Sequence, residues 1–265
     1  MPPADILKRI VAARRQRLGM SRPPEAPPRL FSERISSREA TGSNAFAVAL
    51  RERQGRAVIA EIKLGSPRLG SLVDRIDPEK QAVAYREHGA TALSVVVEPD
   101  FFYGSYALLA RCRVACGLPA IAKDFLVSER QLDEAAEVGA DAFLLIAALH
   151  SADELAGWAE AVRNRGMAPL VETHDAHDLA KVVESQPWEM VGINNRDLTT
   201  FDVSLATSIA LRPRIPTESI AIAESGISSR ADIERLRAGG FDAFLVGECL
   251  LLADDPGAKL AELVA

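Results

Sequence analysis

Eight short apolar runs, separated by longer segments of helical periodicity, constrain this chain more than any other feature. The runs are Ala57 to Ile62, Thr91 to Val97, Pro119 to Ala122, Asp141 to Ala147, Ala168 to Val171, Met190 to Ile193, Ser219 to Ala223 and Asp242 to Val246. Short, apolar and bounded, they suit strands buried on both faces. Between them lie amphipathic segments such as Glu79 to His88, Glu129 to Val138, Asp153 to Arg165, Asp175 to Glu184 and Ser229 to Ala238. Several close on glycine, at Gly89, Gly139, Gly166 and Gly239, the helix-ending use of that residue. Ser128 with Gln131 and Ser229 with Asp232 stand at or near capping-box spacing. Eight βα units in about 210 residues match the count and length of a (β/α)8 TIM barrel, an α/β fold; a doubly wound open sheet is the alternative.

Residues 1 to 48 follow a different pattern and are expected to form an N-terminal helical extension packed on the catalytic barrel of residues 49 to 265. Ile6, Leu7, Ile10 and Val11 make a helical apolar stripe, with Lys8, Arg9, Arg14, Arg15 and Arg17 on the other positions. Pro23, Pro24, Pro27 and Pro28 then force an extended link. From Ser43 to Arg53 a second short helix leads into the first strand.

With 265 residues, 48% of them hydrophobic and 26% charged, the chain can bury a large core. Its net charge of −6 and lack of a basic stripe argue against a nucleic-acid partner, so a small anionic substrate would need a local positive site. Cys112, Cys116 and Cys249 are odd in number and lie in apolar or helical contexts, which fits a reducing cytoplasm. No run approaches the roughly 18 apolar residues of a membrane span, so no membrane partner is expected. No pattern here specifies an oligomeric state.

Catalytic groups of a barrel belong at the C-terminal ends of its strands. In order these ends carry Glu61 and Lys63, Glu98, Lys123 and Asp124, Glu172, then Asn194 with Asn195 and Arg196, Glu224 with Ser225, and Gly247 with Glu248. Strand four is the exception, ending in Ile146 and Ala147. Two lysines and several carboxylates in one mouth form an acid/base set whose charges hold one another ionised. Glu224-Ser225-Gly226 and Gly247-Glu248 follow strands seven and eight, where barrels hold a phosphate on backbone N–H groups. The Glu248 carboxylate would repel a phosphate, so its side chain is expected to face away.

The runs IAEIK-x-x-SP, LSVVVEPDFFYGS, AIAKDF, GADAFLLIAAL, LVETH, GINNRDL, AESGI and LVGECLL resemble, in order, the signature segments of the indole-3-glycerol phosphate synthase family. The resemblance covers residues 57 to 265, and the basic N-terminal helix is similar to that family's extra segment. It implies ring closure of 1-(2-carboxyphenylamino)-1-deoxyribulose 5-phosphate, a small phosphorylated substrate, with loss of carbon dioxide and water in tryptophan biosynthesis. It implies no metal and no organic cofactor. By the same resemblance Lys123 is the general acid, Lys63 meets the substrate carboxylate, Glu172 is the general base and Glu61 its supporting carboxylate. Asn194, Arg196 and Glu224 would orient the sugar chain and the lysines. Ser66, Ser225, Gly226, Gly247 and Glu248 would hold phosphate, and Pro67, Phe102, Phe125, Leu144 and Leu198 would receive the anthranilate ring.

Three positions depart from the family pattern. Leu64 and Leu69 stand where basic residues are usual, and Val97 where a threonine is usual, so a loop meant to close on an anion loses positive charge. Two other readings fit the residues: a Schiff-base aldolase using Lys123, and a non-catalytic barrel binding a phosphosugar or a partner protein. His174 and His177, with Asp175 and Asp178, invite a metal reading, but a solvated helix start is the expectation.

Overall fold

The computed structural model describes residues 4–19, 44–198 and 200–265. The proline link through Pro23, Pro24, Pro27 and Pro28 lies outside the described residues. Eight parallel strands close into a barrel: β1 (Ala57–Ile62), β2 (Ala92–Val96), β3 (Ala120–Lys123), β4 (Ala142–Ile146), β5 (Ala168–Thr173), β6 (Met190–Asn194), β7 (Ile220–Glu224) and β8 (Ala243–Val246). Each pairs with its neighbours in chain order, and β8 returns to β1 with Ala57 opposite Ala243. The closed barrel replaces the open-sheet alternative, and it leaves no unpaired barrel edge.

Several strands run further than their apolar stretches. Lys123 ends β3 opposite Val96, Glu172 sits in β5 opposite Ile146, and Glu224 ends β7 opposite Asn194. The ladder continues through these polar residues because alternate side chains at a strand's end face the barrel mouth while the backbone still pairs.

Outside the barrel lie α3 (Pro78–Glu87), α4 (Tyr106–Cys116), α5 (Glu129–Glu137), α6 (Ala152–Arg163), α7 (Ala176–Ser185), α8 (Leu205–Leu211), α9 (Arg230–Ala238), α10 (Glu248–Leu251) and α11 (Pro256–Val264). Ser128 with Gln131 and Ser229 with Asp232 form reciprocal capping boxes, as does Ser151 with Glu154 at the start of α6. Each such cap satisfies backbone N–H groups a helix start would leave unpaired. Cys112 and Cys116 are buried on α4, and all three cysteines are free thiols.

Two helices lie at opposite ends of the barrel. In α2 (Ala45–Glu52), Phe46, Ala47 and Leu50 are fully buried among Ala57, Ala92, Ala142, Ala168 and Ala243, small residues from the strand starts. The alanines leave the space that Phe46 and Leu50 fill, so α2 plugs the lower end. Asn44 ties it down by donating to the Asp141 and Gly166 carbonyls at 2.8 and 3.3 Å. At the upper end α1 (Ala4–Arg17) buries Ile10 and Val11. Its Arg14 guanidinium donates to the Asp124 carboxylate at 2.5 Å in a buried pair, and Arg17 holds Asp100 at 3.0 and 2.5 Å. Among the described residues no helix is long and apolar enough to cross a membrane.

Candidate active site

The strand ends gather their charges around one amine. Lys123 Nζ lies 2.9 Å from Glu224 Oε2, 3.6 Å from Glu172 Oε2 and 3.8 Å from Glu61 Oε2. Lys63 Nζ donates to Glu61 Oε1 at 2.7 Å, as the two-residue spacing requires. Burial alone would strip the proton from Lys123, but three carboxylates hold it on and raise its pKa. Burial would likewise protonate Glu61, yet Lys63 and Lys123 keep its pKa lowered.

Glu172 and Glu224 divide unequally. Both are buried and in contact, and burial disfavours charge on either. Lys123 and His174 hold Glu172 well below the usual carboxylate range. Glu224 is pushed up to about 8, by burial and by the neighbouring Glu172 charge, against the pull of Lys123. The pair therefore resists a second negative charge, and a proton shared between the two favours Glu224 over Glu172.

Space for these carboxylates is cut by two glycines. A Cβ on Gly192 would lie 2.3 Å from Glu224 Oε1, and one on Gly247 would lie 2.5 Å from Glu61 Oε1. Any larger residue at either place would push a carboxylate off the Lys123 amine.

Above them opens a cavity of about 1030 Å³. Glu61, Lys63, Lys123, Glu172 and Asn194 line its floor, while Glu224 lies beneath, reached through Lys123. One wall is apolar, with Pro67, Phe102, Phe125, Leu144 and Leu198, and is extended by Phe101 and by Ile6, Leu7 and Ile10 of α1. The Phe102 and Phe125 rings stack at 6.0 Å and 28°, so these aromatics line the pocket. The lining also brings together Ser66, Arg196, Ser225, Gly226, Gly247 and Glu248. Ser225 has φ 64°, uncommon outside glycine, and Gly226 follows at 78°, so the chain turns sharply at this loop.

The Glu248 side chain does not stand clear of its surroundings: it is held by Arg68 at 2.5 Å and Arg196 at 3.3 Å. Two cations remove the repulsion that its carboxylate would otherwise impose. Arg68 also changes the meaning of the leucines. Leu64 is a buried residue of the large apolar cluster that also holds Ile62, Tyr85 and Val97, and Arg68, one position before Leu69, carries a positive charge into the cavity lining. The loop itself folds back as a two-stranded hairpin, Gly65–Ser66 with Gly70–Ser71, which no periodicity announced.

Two strand-end carboxylates serve the scaffold instead of the acid/base set. Glu98 accepts the backbone N–H groups of Asp100, Phe101 and Phe102 at 2.9, 2.7 and 3.1 Å and so shapes the aromatic loop. Asp124 is taken up by Arg14, the Tyr106 hydroxyl at 2.8 Å and the Gln131 amide at 2.8 Å. Asn195 is spent on the carbonyls of Glu224 and Ser225, both at 3.1 Å.

His174 corrects the expectation of a solvated helix start. Its side chain is 6% exposed, with Nε2 3.3 Å from Glu172 Oε1 and Nδ1 3.8 Å from Asp178 Oδ2. His177 is exposed. Asp175, His177 and Asp178 bring ligand atoms within 4.8 Å of one another, yet Asp175 caps α7 through the Asp178 N–H and Asp178 pairs with Lys181 and His174. Both carboxylates are thus engaged by the protein itself.

Residues 7–263 match the family model described as indole-3-glycerol phosphate synthase. A protein of that name from Albidiferax ferrireducens is 41% identical over 267 residues, spanning 98% of each chain. Among solved structures, a thiamine phosphate pyrophosphorylase from Pyrococcus furiosus superposes with a TM-score of 0.57 at 14% identity, covering 80% of this chain and 95% of its own. A 3-hexulose-6-phosphate synthase gives 0.58 at 14% identity, covering 78% and 98%. At that identity the two structures share the fold alone.

Proposed function

The chain belongs to the indole-3-glycerol phosphate synthase family, a carboxy-lyase family of tryptophan biosynthesis, and from that premise we propose how its residues divide the reaction. The substrate is 1-(2-carboxyphenylamino)-1-deoxyribulose 5-phosphate. Its phosphate rests on backbone N–H groups of Ser225, Gly226, Gly247 and Glu248, with Ser66 and Arg196 beside them. Its ring enters the wall of Pro67, Phe102, Phe125, Leu144 and Leu198, which excludes water and strengthens every charged contact nearby. Lys63 meets the aromatic carboxylate, and Asn194 and Arg196 align the sugar chain.

Lys123 gives its proton to the substrate carbonyl oxygen as the aromatic carbon attacks. The lysine binds its proton tightly, but an alkoxide developing at that carbon is the stronger base, and transfer proceeds as the charge forms. Carbon dioxide then leaves, which restores the benzene ring, and the hydroxyl departs as water on a second proton, given by Lys63. Glu172 removes the last proton, from the carbon beside the nitrogen, to complete the pyrrole ring of the indole, supported by Glu61, while Glu224 keeps the Lys123 amine in place.

The observation that carries this reading is the Lys123 amine held by three buried carboxylates under an apolar cavity. The same observation disfavours the Schiff-base reading, since imine formation needs a neutral amine and these carboxylates hold it charged. The reading also places the enzyme in the cytoplasm, with no nucleic-acid partner.

Its test is the appearance of indole fluorescence when the protein meets the carboxyphenylamino-deoxyribulose phosphate. Lys123→Ala is expected to lower kcat by about 10²–10⁴-fold, the range typical of a positioned general acid. Undiminished turnover in that variant would remove Lys123 from the role.

A further inference from the structure

Among the described residues, His174 is a buried ionisable side chain at the cavity that neither the proposed mechanism nor the scaffold contacts described above account for. It follows Glu172 by two residues, at the turn from β5 into α7, and reaches back beneath the mouth. Its ring stands between two carboxylates on different elements, Glu172 of β5 and Asp178 of α7. At 3.3 and 3.8 Å these are ion-pair contacts, long for hydrogen bonds. Behind Asp178 stands Lys181, 3.3 Å away, whose amine also donates to the Ala147 carbonyl at 2.5 Å. His150, after β4, interacts with Lys181 in turn. Across the barrel, Glu172 faces Lys123 of β3 and Glu224 of β7.

The inventory of cations around the two touching carboxylates is unequal. Among the described residues the cation paired with Glu224 is Lys123, and its second oxygen, Oε1, lies against Gly192. Glu172 has Lys123 and His174. Two buried carboxylates in contact do not both ionise readily, so the one with the extra cation keeps the charge.

Resting on the assignment of Glu172 as general base, we propose that His174 is a positioning residue for the reaction: clamped by Asp178, it makes Glu172 the ionised, substrate-facing member of the Glu172–Glu224 pair. Burial pulls the imidazole towards neutrality, but Asp178 and Glu172 together outweigh it and raise its pKa to about 9. The ring is therefore an imidazolium at neutral pH. Without it the shared proton is free to sit on either carboxylate, and a protonated Glu172 cannot take the final proton from the substrate.

The test compares His174→Gln, His174→Asn and Asp178→Asn with wild type in the indole fluorescence assay between pH 5.5 and 9.5, with Glu172→Gln alongside. Both His174 variants are expected to lose about 10-fold or more in kcat at pH 7 with KM within about twofold, as befits a group acting only through the base. The acidic limb of their kcat profile should move up by about one pH unit, and that of Asp178→Asn in the same direction by less. A folded His174 variant whose acidic limb stays in place overturns the proposal, whatever its kcat. Retained activity in Glu172→Gln removes the base assignment itself, and the His174 proposal with it; loss there with an unmoved limb in the His174 variants removes only the latter. NMR of the wild-type ring nitrogens gives a measurement independent of any substitution. With four histidines in the chain, the His174 ring should remain doubly protonated at pH 7.5, and a neutral ring at that pH overturns the proposal.

Discussion

Gly192 and Gly247 show what a single residue decides here. Neither touches a substrate through a side chain, yet each gives a carboxylate the room to reach a lysine. Gly192→Ala is expected to fold and to lose about 10²-fold in kcat, because the added Cβ drives Glu224 from Lys123 and misplacements of about 1 Å cost that much; steady-state kinetics beside a thermal melt checks it, and an unchanged kcat would show that Glu224 gives way freely. Legibility at this scale was uneven for a physical reason. Lys123, Glu61, Glu172 and Glu224 were readable because a charge at the end of a buried strand has few places to go. Glu98 and Asp124 stood in the same kind of position and turned out to hold a loop and a helix. One carboxylate resembles another in a sequence, and only the donors that reach it tell them apart. His174 was misread because three polar neighbours after it suggested solvent, whereas the turn into α7 folds its ring back under Glu172.

At the scale of elements, the eight strands were readable because burial on both faces leaves an uninterrupted apolar run. The hairpin after β1 was not, since two-residue strands carry no period. Nor was α4 named as an element: its apolar residues are spread around the helix, and Ser105 at its start and Gly117 at its end, φ 72°, are its clearest marks. The docking of α1 was only half readable. Its stripe of Ile6, Leu7, Ile10 and Val11 showed a face to bury, but nothing along the chain pairs Arg14 with a residue 110 positions away. That pair differs sharply from its neighbour. Arg14→Ala leaves Asp124 buried beside fewer donors and is expected to cost about 3 kcal/mol or more, whereas Arg17→Ala, on a half-exposed pair, should stay within about 1 kcal/mol. Urea unfolding of both variants, with hydrogen exchange followed in α1, separates the two outcomes; equal losses would mean that α1 is held by its apolar face alone.

Across the whole molecule a net charge of −6 surrounds the cavity to which the anionic substrate is assigned, so the local field at the mouth matters more than the total. Arg68 and Arg196 supply that field, and Glu248 spends part of it. Glu248→Gln is therefore expected to lower KM about two- to fivefold at low ionic strength, with the gain fading as salt rises beyond about 0.15 M. A KM that rises instead would show that the carboxylate is needed to place the two arginines. The closed ring of strands has a further consequence, for the order in which the protein can be made. β1 has β2 on one side, but its other edge belongs to β8, paired from Ala57 to Ala243. During synthesis that edge must wait for β8, and α1 waits for Asp100 and Asp124 before its arginines have partners. β1 is thus translated well before it is finished, and a nascent chain halted before β8 would carry an open strand edge that only the later residues can cover.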